Sequence, residues 1–495
     1  MGIVFRQSIK TSIVTFLGAL LGAIILYLSI TFLPQKEFGF ARNLLSQAIV
    51  GSQFILMGMH SMLYVFISKY PSEHKGRSVV ITIGMATPLL LTLLFGIIYI
   101  IAKPYIIPLY NANDILLVER YFYWLPLYVL LWGLLIILEQ FLNTQMKIAA
   151  TSFLREVVLR LLNIGLIIAF GFEYIDFNYF IILSVLVHLL PVAALWLMAR
   201  KVDGFSISTN WKALTKLEYK KIFDFAFFHL LLNMSVVLLD NIDILMIPIL
   251  DVAGMTSAGI YFIAVYVVSI YQIPYRALAT STAPILNIEY QNNNMDKVRD
   301  LFSRSSINIW IATFGMGILI IANLNNGFAV LPDKYAAAYS VVLILMLGRS
   351  INMLTGLNNE MISISNYYRF NFYFTSVLII LIVSLNFLLI PKYGINGAAW
   401  GTTIAIGLYN LMKMLFLWIK FKLSPFTKGS IPVLLSAIVA ITPGLLMPLI
   451  YNPIIDTFVR SLIVIILYLA MLYWLKPSQD FNQYMKNLLK NKKLF

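Results

Sequence analysis

The residues of this sequence with the clearest chemical potential are charged side chains inside long apolar stretches. Arg276 and Arg349 stand out, because neither has an acidic residue three or four positions away that could neutralise it on one helix. A charged group surrounded by hydrocarbon is costly and usually faces a partner or water. Arginine binds phosphate through a planar, permanently charged fork. The two arginines therefore predict a cavity that holds an anion.

Three further cations belong to the predicted cavity, and each has a second interpretation. Arg42 either lines the cavity or extends to the outer headgroups. Arg160 follows Glu156 by four positions, so it either lines the cavity or pairs with that carboxylate on its own helix. Lys413 lies either in the cavity or at the inner interface.

Polar side chains recur at helical spacing on several apolar stretches, which predicts wet helix faces and a water-filled cavity between two lobes. If 41–69 is one helix, Arg42, Gln53 and His60 share one face. Pro274 beside Gln272 removes a backbone hydrogen bond and predicts a kink. The predicted cavity-lining residues are Gln53, His60, Asn233, Gln272, Asn352 and Asn359. The candidates for ion coupling are Asp240 and Glu360.

Transmembrane helices are the elements that must position these residues. The chain has 495 residues, of which 60% are hydrophobic and 12% charged, with a mean hydropathy of +0.86. Soluble and disordered chains carry more charge, whereas a span needs about 20 apolar residues. The expected fold is all-α, with 14 transmembrane helices. The predicted spans are 9–33, 41–69, 79–101, 119–141, 149–172, 178–200, 221–249, 257–284, 303–325, 335–357, 369–390, 395–420, 430–450 and 457–475.

The distribution of basic residues predicts the orientation of these spans. The formal net charge is +15. With the N-terminus inside, inner segments carry about 25 lysines and arginines and outer segments about 6, as the positive-inside rule favours. This predicts an even number of spans and two cytoplasmic termini, so nucleic acid is not needed to explain the charge. The chain has no cysteine and four scattered histidines, so neither a metal site nor another cofactor is expected.

A weak internal repeat predicts the domain organisation. A shift of about 220 residues places Gly39 on Gly259, Ser61 on Ser281 and Tyr70 on Tyr290. Such repeats build the two lobes of secondary transporters. The predicted parts are a six-helix lobe at 1–200, a cytoplasmic linker at 201–220, a second six-helix lobe at 221–425, helices 13 and 14 at 426–475, and a basic cytoplasmic tail at 476–495.

Three stretches resemble those of bacterial oligosaccharide flippases. They are Asp243 to Tyr290 with AGIYFIAVY, Gly348 to Arg369 with TGLNNEMISISNYYR, and LLIPKYGINGAAWGTTIA at 388–405. The chain is similar in these to the polysaccharide-transporter (Wzx-type) branch of the multidrug/oligosaccharidyl-lipid/polysaccharide flippase superfamily. The resemblance implies alternating access across the bacterial inner membrane. It implies an undecaprenyl-diphosphate-linked oligosaccharide as cargo, in the biosynthesis of surface polysaccharide such as lipopolysaccharide.

The same resemblance implies roles and partners. Arg276 and Arg349 resemble the cavity arginines of such flippases, and a proton or sodium gradient or the membrane potential would drive transport without enzymatic activity. The expected partners are the lipid-linked glycan, membrane lipids, and a glycan polymerase or glycosyltransferases, with a monomeric protein and no nucleic acid. Two alternatives stay open: a lipid II flippase, and a cation-coupled exporter of small molecules or drugs. The lack of an acidic residue in the first helix argues against the exporter.

Overall fold

The computed structural model of the protein describes residues 2–70, 74–202, 204–208, 210–449 and 452–489. All regular secondary structure in these ranges is helical, which confirms the predicted all-α class. The chain divides into two compact units, Met1–Gly259 and Ile260–Phe495. Residues 203 and 209 of the predicted linker and 490–495 of the predicted tail lie outside the described residues. The predicted lobe and linker boundaries remain predictions.

In its described ranges, the first unit contains twelve helices and the start of a thirteenth. Short 3-10 turns cover Ile67–Lys69, Ile107–Leu109 and Trp211–Ala213, and a π-helical turn at Leu154–Val158 joins α8 to α9. The helices are α1 (Gly2–Phe32), α2 (Gln35–Leu56), α3 (Met59–Phe66), α4 (Lys75–Ile101), α5 (Lys103–Ile106), α6 (Ala112–Tyr121), α7 (Trp124–Thr144), α8 (Ile148–Phe153), α9 (Leu159–Gly171), α10 (Phe177–Leu186), α11 (Leu189–Arg200), α12 (Lys216–Leu250) and α13 (Met255–Tyr271).

The second unit continues α13 and adds nine helices within the described residues. A 3-10 turn at Asp333–Tyr335 precedes α17. The helices are α14 (Ile273–Gln291), α15 (Met295–Ala322), α16 (Leu324–Val330), α17 (Ala338–Leu354), α18 (Asn358–Ile364), α19 (Arg369–Phe421), α20 (Ser430–Leu446), α21 (Pro453–Leu475) and α22 (Gln479–Leu489).

Nine of the described helices are long and apolar enough to cross a membrane, or eleven if each of two bent pairs is one span. The predicted count of fourteen therefore stays a prediction, although helix is present in every predicted window. The count differs for physical reasons. A π-helical turn divides 149–172, and α20 has only 17 residues. In addition, α19 merges two predicted windows across Gly394, whose backbone is non-helical (φ 57°).

Large apolar side chains cover the outside of several of these helices, as expected of spans that face lipid. Phe16 on α1, Leu93 on α4 and Phe458 on α21 are each at least two-thirds exposed. Water would penalise so much exposed apolar surface, whereas hydrocarbon does not. The protein is therefore a multi-pass membrane protein, with buried polar groups inside each unit.

The predicted single helix at 41–69 is wrong, because the chain breaks between α2 and α3. The two helices meet at an angle of 53°, and Met57 (φ 46°) and Gly58 (φ 74°) adopt left-handed backbone conformations. A Cβ at Gly58 would collide with the Ala226 carbonyl of α12, so close helix packing requires glycine here. The break also removes the predicted common face of Arg42, Gln53 and His60, since His60 belongs to the second helix.

The predicted kink at Pro274 is confirmed. Helices α13 and α14 meet at 44°, with Gln272 as the residue between them. Pro274 lies in the first turn of α14, where its missing N–H leaves one carbonyl of the preceding helix without its usual donor. The bend therefore follows from the sequence, unlike the break at Gly58.

The glycines matched by the predicted repeat meet in space within the first unit. A Cβ on Gly39 would collide with the Met255 carbonyl and lie 2.9 Å from Gly259 N, while a Cβ on Gly259 would lie 2.9 Å from the Gln35 carbonyl and 3.1 Å from Gly39 N. Gln35 and Met255 are separated by the same shift as Gly39 and Gly259. Reciprocal contacts of this kind are what a two-fold relation between repeats produces, so the contact agrees with the repeat.

Candidate functional site

Arg276 is an exposed cation within the bent pair of helices α13 and α14. Its guanidinium forms no ion pair within the described part of the chain, and its carbonyl accepts the Thr280 hydroxyl at 2.7 Å. It follows Pro274 by two residues, so it lies in the first turns of α14, next to the bend. Because a bare guanidinium facing hydrocarbon is costly, this geometry favours a side chain that faces water.

Arg349 belongs to the neighbouring helix α17 of the same unit. The Tyr271 and Ser350 hydroxyls lie 2.7 Å apart, which connects the end of α13 to α17 beside Arg349. Arg349 itself is half-buried. Gln272 is buried, and its side-chain amide donates to the Val268 carbonyl at 3.4 Å. The structure therefore places the two predicted arginines on α14 and α17 of the second unit, whereas Gln272 contacts its own helix.

Lys413 lies in a buried polar network and not at a surface. Its side chain is 0% exposed, and Nζ donates to the Tyr409 hydroxyl at 2.9 Å. The Tyr409 hydroxyl donates in turn to Asn359 Oδ1 at 3.0 Å. The predicted role of Lys413 in substrate binding stays a prediction. Lys413 is distinguished by the burial of its charge away from water, which its spacing in the sequence does not reveal.

Glu360 and Asn352 border this network. Glu360 lies on α18, between the long helices α17 and α19, and its Oε2 atom is buried with no hydrogen-bond partner among the described residues. Burial raises the pKa of the Glu360 carboxyl, and the charge of Lys413 opposes part of that rise. Asn352 is half-buried and its carbonyl accepts the Thr355 hydroxyl at 2.8 Å. The structure thus brings Asn359, Glu360 and Lys413 together.

In the first unit, the structure brings His60 and Asn233 together. Asn233 Nδ2 lies 3.0 Å from His60 Nε2 and donates to Ser61 Oγ at 3.1 Å. His60 Nδ1 is buried and has no partner among the described residues. Gln53 is only 5% exposed, so it is packed within the unit. These contacts link α3 to α12, and a cavity-lining role for the three residues stays a prediction.

Arg42 lies on α2 and Asp240 on α12. The Arg42 guanidinium stands 5.3 Å from the centre of the Phe38 ring, within the range of a cation–π contact. Arg42 is half-buried and Asp240 is exposed on α12. Both interpretations of Arg42, a substrate-binding residue and a residue at the outer headgroups, stay predictions. The ion-coupling role of Asp240 also stays a prediction.

Arg160 is paired, in agreement with the second of its two interpretations. Its guanidinium lies 2.5 Å from a Glu156 oxygen and also donates to the Gly18 carbonyl of α1. Arg155 bridges Glu156 (3.1 Å) and Glu139 (2.9 Å). This network joins α1, α7 and the π-helical turn. Arg160 is therefore neutralised by Glu156, and its role in substrate binding stays a prediction.

A buried ion pair on α21 was missed by the sequence reasoning. Asp456 and Arg460 are 0% and 3% exposed and are joined at 2.8 Å. Arg460 also donates to the Gly444, Met447 and Pro448 carbonyls at the end of α20, and Asn326 donates to Asp456. The spacing of four residues between Asp456 and Arg460 is the sequence feature that indicates such a pair on one helix. Arg460 thus donates to carbonyl groups at the end of α20, and the two charges of the pair neutralise each other.

Comparison with known proteins places the fold. No family model and no curated protein matches the chain. The solved structure of the lipid II flippase MurJ in an inward closed conformation matches with a TM-score of 0.73 and 16% identity, over 94% of this chain and 98% of that chain. An inward-facing MATE family multidrug resistance transporter of the MOP superfamily matches with a TM-score of 0.65 and 15% identity, over 82% and 94%.

A third solved structure has a pertinent description. It is a MOP superfamily transporter from Pyrococcus furiosus, described as having a binding pocket of reverse polarity that suggests a different function. It matches with a TM-score of 0.53 and 14% identity, over 85% of this chain and 95% of that chain. At these identities the likeness shows the fold alone. The chain therefore has the fold of MOP-superfamily transporters, and the Wzx-type branch stays a prediction.

Proposed function

We propose that the protein is a flippase that moves an undecaprenyl-diphosphate-linked oligosaccharide across the bacterial inner membrane by alternating access, for surface polysaccharide biosynthesis. The fold supports a transporter, because the matched solved structures are transporters or flippases. The cargo is inferred from charge. A lipid-linked glycan combines a diphosphate, a polar headgroup and a long tail, so its carrier needs a cationic, wet site beside lipid.

Arg276 is the observation that carries this proposal. Its guanidinium is exposed within a bent pair of apolar helices, without an ion pair inside the described ranges. Arginine keeps its charge and offers paired donors that match phosphate oxygens. Arg349 on α17 adds a second cation to the same unit. Such a site attracts an anionic cargo and repels a cationic drug, which disfavours the multidrug exporter.

A lipid II flippase is the second candidate. The TM-score of 0.73 with MurJ exceeds the 0.65 with the MATE transporter, and the MurJ match covers more of this chain. Lipid II is also a diphosphate-linked lipid, so the same arginines suit it. The two cargoes differ in the glycan, which only a substrate measurement distinguishes.

Depletion of the protein in its source bacterium tests the proposal. We expect undecaprenyl-diphosphate oligosaccharide to accumulate on the cytoplasmic leaflet while lipid II distributes normally. Accumulation of lipid II alone would favour the second candidate, and normal distribution of both lipids would refute flippase activity.

Complementation with variants tests the site itself. The double variant Arg276→Gln/Arg349→Gln should reduce transport about tenfold or more, because each hydrogen bond to a charged group contributes about 1.5–3 kcal/mol. The matched control is Arg304→Gln, which removes an exposed arginine that pairs with Asp300 at 3.0 Å in the same unit. Full activity of the double variant would contradict a cationic site at these positions.

A further inference from the structure

A surface groove of about 660 Å³ lies between α1, α8 and α11 of the first unit. Ala150 of α8 and Ala194 of α11 line it, and their small side chains leave space that a larger side chain would fill. Ile13 of α1 and Phe153 of α8 form apolar walls and are 55% and 47% exposed. The groove is therefore accessible from the lipid around the protein, and its apolar lining suits a hydrocarbon chain.

Close packing at Gly18 holds α1 beside this groove. A Cβ on Gly18 would lie 2.9 Å from the Glu156 Cβ of the π-helical turn, and the Gly18 carbonyl accepts the Arg160 guanidinium. Ile13 and Val14, which line the groove, precede Gly18 by about one helical turn. The wall that α1 contributes is thus adjacent to a contact that fixes this helix against the rest of the unit.

The groove lies where three apolar helices end. Ile13 begins the apolar stretch of α1, Met198 lies two residues before the end of α11, and Lys147 lies three residues after the end of α7. All three side chains line the groove, so these helix ends meet at one membrane interface. The distribution of basic residues predicts that this interface is cytoplasmic.

Lys147 is the charged residue in the described lining of the groove. It is half-buried and forms no ion pair within the described ranges. The acidic residues beside the groove are already neutralised, because Arg155 pairs with Glu139 and Glu156. Arg160 supplies the second positive charge for this set of two carboxylates and two guanidinium groups. The charge of Lys147 is therefore left over at the rim of an apolar groove.

We propose that this groove binds an anionic phospholipid of the cytoplasmic leaflet, with an acyl chain between Ile13 and Phe153 and the phosphate at Lys147. Lysines near a membrane surface attract anionic headgroups. A zwitterionic headgroup carries its own cation, which offsets that attraction, so phosphatidylglycerol is preferred to phosphatidylethanolamine. Arg276 and Arg349 belong to the second unit, and the lipid site requires no cargo, so this inference does not rest on the proposed function.

Native mass spectrometry of the delipidated protein in detergent tests the headgroup preference. Phosphatidylglycerol should bind the wild type about fivefold more tightly than phosphatidylethanolamine, and Lys147→Gln should remove this difference, because one basic residue near the surface is worth about that factor. The control is Lys212→Gln, at an exposed lysine outside the groove lining, and it should retain the preference. Equal preference in Lys147→Gln and the wild type would overturn the proposal.

Photo-crosslinking in lipid nanodiscs tests the position of the acyl chain. Phosphatidylglycerol with a photoactivatable acyl chain should label peptides that contain Ile13 or Phe153. Ala150→Leu fills the groove and should reduce this labelling severalfold, while thermal unfolding stays unchanged because Ala150 is exposed. Unlabelled phosphatidylglycerol should compete with the label, and undecaprenyl diphosphate should not. Full labelling of Ala150→Leu, or competition by undecaprenyl diphosphate alone, would overturn the proposal, and the second result would assign the groove to the cargo.

Discussion

Charged residues inside the apolar helices differ in how completely they are paired. Asp456 and Arg460 form an ion pair, and Arg460 also donates to backbone carbonyls. Arg160 pairs with Glu156 and donates to the Gly18 carbonyl. Arg276 and Lys413 form no ion pair with any of the described residues. Spacing in the sequence identified the Glu156–Arg160 pair as one of two alternatives. It could not reveal that Lys413 is buried, because burial is decided by α17 and α18 packing around α19.

The buried pair on α21 should be a major contribution to stability. Arg460→Met would leave Asp456 as an uncompensated buried charge, and removing one partner of such a pair costs about 3–5 kcal/mol. We expect a clearly lower unfolding temperature in detergent. The double variant Asp456→Leu/Arg460→Met should recover part of the loss, since no charge then remains. A single variant as stable as the wild type would contradict this role.

Among the helices, local sequence and tertiary packing determine different breaks. Pro274 predicted its bend because proline acts on its own helix. The break at Gly58 was missed, because its cause is the approach of α12 from elsewhere in the chain. Gly394 lies between the predicted windows 369–390 and 395–420, and its positive φ of 57° interrupts α19 there, because glycine adopts this conformation without steric cost.

Gly58→Ala tests the break directly. The substitution would force a left-handed conformation on alanine and drive its Cβ into the Ala226 carbonyl, so we expect a loss of at least about 2 kcal/mol. Gly165→Ala is the matched control, because nothing lies within 4 Å of a Cβ there and alanine favours helix by about 1 kcal/mol. Thermal unfolding of both variants provides the comparison, and equal effects would contradict the packing explanation.

For the whole molecule, composition predicted a multi-pass helical protein, and the structure contains a contact between two glycines that the weak repeat matches. Gly39 and Gly259 face each other with reciprocal neighbours, although their partial match in the sequence is weak. Hydropathy did not determine the exact number of spans, because kinks and π-helical turns interrupt helices that a hydropathy profile treats as continuous. Orientation rests on the distribution of basic residues.

Because the chain lacks cysteine, single-cysteine labelling can test that orientation cleanly. Lys212→Cys, in the predicted cytoplasmic linker, should react with a membrane-impermeant maleimide only after the membrane is permeabilised. Lys334→Cys, in a predicted outer loop, should react in intact spheroplasts. The reverse pattern would show an inverted topology, and equal labelling of both positions from one side would contradict the three predicted spans between them.

The most direct test of the central claim is flipping by the purified protein in proteoliposomes. The cargo is an undecaprenyl-diphosphate oligosaccharide with a fluorescent glycan, whose outer-leaflet fraction is read by chemical quenching. The wild type and Arg304→Gln should flip it at similar rates, and Arg276→Gln/Arg349→Gln should be at least about tenfold slower. Equal rates for all three proteins, or a rate no higher than that of protein-free vesicles, would contradict a flippase with a cationic binding site.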